Sequence, residues 1–89
     1  MKIIRNCPPG KEFLFKLPNG TVVGKAKNIS EFTDIIKILP LPSLIYHTEG
    51  RHFSAWLEMV GEKTAATALR SMPINHATIR ISVLRALKG

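Results

Sequence analysis

The fold class this chain predicts is α+β, an N-terminal two-stranded β-hairpin packed against three or four short helices. Three observations predict it. Phe13 and Phe15 alternate with Leu14 and Lys16 ahead of Pro18-Asn19-Gly20, and the β-branched run Thr21-Val22-Val23 follows. Beyond Asn28, apolar residues recur at helical spacing in three stretches punctuated by Pro40, Gly61 and Pro73. Finally, 89 residues that are 45% hydrophobic and 21% charged suit one small globular domain with a limited core. The expected organisation is a single domain, 1–89, whose residues 1–10 form an irregular lead-in ending at Pro8-Pro9-Gly10.

The elements follow in order. Strands are expected at 12–17 and 21–26, joined through Asn19-Gly20, a pair able to take the positive φ of a tight hairpin turn. Gly24 and the alternating Lys25 and Lys27 suit a sheet edge kept from further pairing. Asn28 starts a helix as N-cap, with Glu31 placed to reach back as in a capping box. Ile29, Phe32, Ile35, Ile36 and Leu39 form its apolar stripe, and Pro40 ends it. Residues 40–50 read as a connector holding a short element, Ser43 to His47, of ambiguous type. Phe53, Trp56, Leu57 and Val60 repeat the helical pattern up to Gly61, a natural residue just past a helix end. Ala65, Ala68, Leu69 and Met72 repeat it again, stopped by Pro73.

The stretch 75–87 supports two readings. Ile79, Ile81 and Val83 alternate like a strand, whereas Ala77, Ile81 and Leu84 repeat like a helix. Asn75 as a cap after Pro73, and Lys88 near the far end, favour helix. The expected core is Phe13, Phe15, Val22, Phe32, Ile35, Ile36, Leu39, Phe53, Trp56, Leu57, Leu69 and Met72.

The net charge of +7 is unevenly spread. Residues 1–30 hold six basic groups and one acid, 31–62 hold two basic and five acidic, and 63–89 hold five basic and none acidic. Basic ends flanking an acidic middle point to an anionic partner, with nucleic acid the leading expectation. Lys16, Lys25, Lys27, Arg80 and Arg85 are the expected nucleic-acid-binding residues. Lys63–Met72 followed by Pro73–Leu87 could form a helix-turn-helix exposing Arg80 and Arg85, although the turn lacks the usual glycine. A protein partner or a homo-oligomer is the competing expectation, with one copy's acidic middle set against another's basic ends. The third is a small-ligand site around Tyr46, His47, Arg51 and His52.

Catalytic chemistry finds little support. The chain has no Gly-x-Ser-x-Gly elbow, no phosphate-cradling loop and no dinucleotide fingerprint, so neither an enzyme nor a cofactor is expected. Glu58 and Glu62 share a helix face only if Gly61 does not break the helix. His47, His52 and His76 lack zinc-ligand spacing, so no metal is expected and surface or capping roles are favoured. Cys7 stands alone between Asn6 and two prolines, which excludes an internal disulfide and gives no sign of a reactive thiol. Trp56 reads as a core residue rather than a base-stacking platform. The chain shows neither a secretory leader nor a membrane-length apolar run, so the expected setting is the cytoplasm, away from membranes.

The segments Ser43-Leu44-Ile45-Tyr46-His47 and His52-Phe53-Ser54-Ala55-Trp56-Leu57, with Gly61-Glu62 and Ala66…Leu69, carry a resemblance. Over about residues 12–72 the chain resembles a family of small archaeal and bacterial domains of unknown function, patterned Ser-Leu-x-Tyr/Phe-His, Asp-Phe-x-x-Trp, Gly-Asp-x-x-Leu-Ala. This chain has His52 where that family usually has Asp, and Glu62 in place of a second Asp. The resemblance implies a fold and a cytoplasmic setting, and no activity. If the family's Asp caps the Trp-bearing helix, His52 must leave that job to another group, such as Glu49 or water.

Overall fold

The computed structural model describes residues 6–88. Residues 1–5 of the expected lead-in lie outside the described residues. The element order is β1 (Phe13–Lys16), β2 (Val22–Ala26), α1 (Ile29–Ile38), α2 (Leu41–Glu49), α3 (His52–Met59), α4 (Lys63–Ser71) and α5 (Ile79–Lys88). This is the α+β arrangement the pattern predicts, with five helices among the described residues rather than three or four.

The strands pair antiparallel, Phe13 opposite Ala26 and Phe15 opposite Gly24. Their turn differs from the tight one expected of Asn-Gly. Gly20 alone in the turn has positive φ, +93°, and its N–H donates to the Leu17 carbonyl at 2.8 Å. A bulge then shifts the register between Phe15 and Lys16, so that Val22 stands opposite Lys16. Without that extra residue Val22 would face the core. With it, Val22 shares the outward face of Lys16 and is 52% exposed, which removes it from the expected core. Gly24 faces α1, where a Cβ would stand at an ordinary contact distance of 3.4 Å from Ile35 Cγ2.

Asn28 caps α1, its Oδ1 accepting the Glu31 N–H at 2.9 Å. Glu31 reaches back to the Lys27 N–H at 3.0 Å, one residue earlier than a capping box would. Leu39 turns extended before Pro40 and ends the helix. The expected connector is in fact α2. Pro42 fits its first turn, where a missing N–H leaves no helical bond unmade, and Ser43, Leu44, His47 and Thr48 form its buried stripe. Three of those four are polar, which is why hydrophobic periodicity does not reveal the helix.

At the end of α3, Gly61 has φ +88° and the Glu62 N–H closes on the Leu57 carbonyl at 2.8 Å, a Schellman stop that also separates Glu58 from Glu62. The segment 75–87 resolves in favour of helix, with a later start. Asn75 caps a turn, accepting the Ala77 N–H at 2.9 Å, and α5 begins at Ile79. Its buried residues Ile79, Val83, Ala86 and Leu87 follow helical spacing, while Ile81 is 56% exposed and drops out of the strand-like alternation.

The hairpin's inner face, α1 and α3 enclose an aromatic centre. Phe13, Phe15, Phe32 and Phe53 meet there, and Trp56 stacks on Phe32 at 5.5 Å and 11°. The other expected core residues are buried, apart from Ile35 and Met72, which are half-buried against it. Cys7 is buried in the same cluster, its N–H on the Lys27 carbonyl at 2.7 Å.

Candidate functional site: a cleft on the open edge of the hairpin

Along β1, backbone groups point alternately toward β2 and away from it. Leu17 donates its N–H to Thr21 in the facing strand, at 2.9 Å. Lys16 therefore turns its N–H and carbonyl outward, where α2 meets both. The Lys16 N–H donates to His47 Nε2 at 2.8 Å, and Ser43 Oγ donates to the Lys16 carbonyl at 2.7 Å. Ser43 and His47 are one helical turn apart on the same face, so a single helix grips one strand residue at both ends of its backbone. At the other end of the edge, Trp56 Nε1 of α3 donates to the Lys11 carbonyl at 2.8 Å.

These bonds settle the histidine tautomers. His47 Nε2 accepts, so in the neutral ring the proton sits on Nδ1. That nitrogen lies 3.0 Å from His52 Nδ1, which must then accept and leave its own proton on Nε2. His47 is only 3% exposed and touches Phe13 and Phe53. Burial first, then His52 and then Lys16, lower its pKa from 6.5 to about 4, so the ring is neutral at physiological pH. A protonated Nδ1 has no lone pair for a metal, and His76 lies apart on Glu49 at 2.9 Å. Among the described residues no three His, Cys, Asp or Glu side chains gather as metal ligands.

Between the two clamped ends lies an open cleft of about 330 Å³. Glu12, Phe13, Leu14 and Lys16 line it from the hairpin side, and Tyr46, His47, His52 and Trp56 from α2 and α3. Tyr46 and His52 are exposed and their rings meet edge to face at 5.3 Å. Gly50 makes room for His52: a Cβ at position 50 would come within 2.6 Å of His52 Nε2. Gly50 φ is −79°, so the glycine serves this contact and not an unusual backbone.

Of the expected ligand residues, Tyr46, His47 and His52 come together. Arg51 does not join them. It adopts a left-handed conformation, φ 59°, as N-cap of α3, and its guanidinium donates to the Arg70 carbonyl at 3.3 Å. Among the described residues no side chain caps α3, neither His52 nor Glu49. Lys16, assigned from sequence to the basic ends, belongs to this cleft. Glu12, Leu14 and Trp56 were not anticipated in it; a serine and a histidine one turn apart, each needing a buried partner, were the signal available.

The basic residues spread out. Lys16 and Lys25 lie on the outer face of the hairpin, and Lys27 is exposed just before α1. Arg80 is half-buried and donates to the Ile36 carbonyl at 2.8 Å, at the far end of α1 and so about 15 Å from Lys27. Arg85 is exposed on α5. Seven residues, 72–78, connect α4 to α5, longer than the turn of a helix-turn-helix, and Arg80 is spent on α1, so that expectation is corrected. Arg70 pairs with Glu58, and Lys37 with Asp34 at 3.7 Å.

No family model, curated protein or solved structure matches this chain. Among the described residues, no helix is long and apolar enough to cross a membrane.

Proposed function

We propose that this protein is a small, basic, non-catalytic binding module that takes its ligand in the cleft between β1, α2 and α3. One observation carries the reading: a wall held rigid by the Lys16–His47–His52 chain borders the outward edge of Leu14 and two exposed rings. Both nitrogens of His47 are occupied, which suits a positioning role rather than proton transfer. The volume, about 330 Å³, is at the small end of ligand pockets. We place the module in the cytoplasm, where the single Cys7 stays reduced. The motif resemblance fits the same reading, because its Tyr46, His47 and Trp56 all border the cleft.

A fragment screen followed by amide ¹H–¹⁵N spectra tests this. Binding should shift residues of β1, the end of α2 and the start of α3, and His52→Ala or Tyr46→Ala should weaken it about tenfold. Shifts centred elsewhere would remove the cleft from the proposal.

Nucleic acid remains the second reading, narrowed to the hairpin. Lys25 stands opposite Leu14, Lys16 lies on the same outward face, and Tyr46 and His52 at its border are rings of the kind bases stack on. Replacing Lys16, Lys25 and Lys27 by Gln should then abolish salt-sensitive binding to single strands, while Arg85→Gln leaves most of it. Equal losses from the two variants would count against a hairpin interface.

A further inference from the structure

Resting on the cleft reading, we infer that its ligand is a short zwitterionic peptide of about three residues, laid parallel to β1. Backbone chemistry comes first. Leu14 turns its N–H and carbonyl to the same side as Lys16, and among the described residues no group on that side takes either one. A donor and an acceptor on one strand residue match an extended peptide, the recognition mode in which a ligand adds itself as a strand.

Length comes next. The edge is closed by Trp56 on the Lys11 carbonyl and by Ser43 and His47 on Lys16. The clamps at Lys11 and Lys16 stand at most about 16 Å apart, a span that suits a ligand of a few residues with both termini inside it.

Charge sets the direction. Glu12 and Lys16 both line the cleft, at most about 13 Å apart along the chain, and neither has an ion pair among the described residues. A ligand ammonium beside Glu12 and a carboxylate beside Lys16 give an orientation parallel to β1. In parallel pairing, one residue bonds to two different residues of its neighbour. The Leu14 N–H would meet the carbonyl of ligand residue one, and the Leu14 carbonyl the N–H of residue three. A tripeptide is therefore the smallest ligand that uses both groups, and the rings of Tyr46 and Trp56 flank it.

Trialanine is the probe, titrated into ¹⁵N-labelled full-length protein beside its N-acetyl and C-amide forms. The expected result is a saturable shift of the Leu14 amide, and affinity reduced at least tenfold by capping either end. Glu12→Gln should remove the penalty for acetylation alone, and Lys16→Met the penalty for amidation alone, since each leaves the backbone of β1 in place. An unmoved Leu14 amide at millimolar trialanine, or equal affinity for capped and uncapped forms, overturns the inference. If fragments still shift Tyr46 and His52 while trialanine does not, the cleft reading stands and the peptide assignment falls. Preference for an oligonucleotide over every peptide form also overturns it.

Discussion

Acidification should loosen this protein through His47. The perturbation is a change from pH 7 to pH 5. In the folded chain the pKa of His47 is lowered to about 4, against 6.5 for an exposed histidine. The unfolded chain thus binds the extra proton between those values, so stability is intact above the unfolded pKa and drains away as pH falls toward the folded one. The full difference corresponds to roughly 3 kcal/mol, of which roughly 2 kcal/mol is lost by pH 5. A domain this size has a total stability of roughly 4–13 kcal/mol, so the loss is a large share. Its melting temperature should fall by about 8–15 °C. Thermal melts followed by circular dichroism read this directly. The control is His47→Gln, whose amide can accept from Lys16 and donate to His52 without titrating. Its pH 7 to pH 5 shift should be much smaller. If His47→Gln loses as much on acidification as the parent protein, the proton sink lies elsewhere and the reasoning fails.

Three further outcomes follow from individual contacts. Gly50→Ala keeps a permitted backbone but expels the His52 ring, so stability should fall by only about 1 kcal/mol while the His52 ring resonances move to solvent-like positions. Arg80→Met leaves the Ile36 carbonyl without its charged donor and should cost about 1–2 kcal/mol in urea melts, whereas Arg85→Met should change stability by less than about 0.5 kcal/mol. Asn28→Ala removes the α1 cap and should cost about 1 kcal/mol by the same assay, with Asn28→Ser restoring most of it.

Much of the fold was legible in the sequence because most elements bury apolar residues at one period. Phe13 and Phe15, the α1 stripe ending at Pro40, and the α3 stripe ending at Gly61 all occur where their spacing places them. The failures share a different cause. Helix α2 buries Ser43, His47 and Thr48, whose burial is tolerable only because strand and helix backbone groups accept from the two hydroxyls and donate to the imidazole. Those partners are 27 and 31 residues away in sequence for Ser43 and His47, beyond any local pattern. The bulge that turns Val22 outward and the late start of α5 are backbone choices with equally weak local signals. At the site, Tyr46, His47 and His52 could be singled out as polar aromatics clustered near a turn. Arg51 looked equivalent, but its left-handed backbone sends its side chain toward α4 instead. Arg80 shows the reverse error, since a helix-surface arginine in sequence becomes the donor that closes the end of another helix.

The most direct measurement of the central claim is the protonation of the two imidazoles at pH 7, read from long-range ¹H–¹⁵N correlations of the histidine rings. The hydrogen-bond chain requires the proton on Nδ1 of His47 and on Nε2 of His52, with Nε2 of His47 coupled to the Lys16 amide proton. A His47 ring carrying its proton on Nε2, or averaging between the two tautomers, would contradict the wall on which the binding cleft depends.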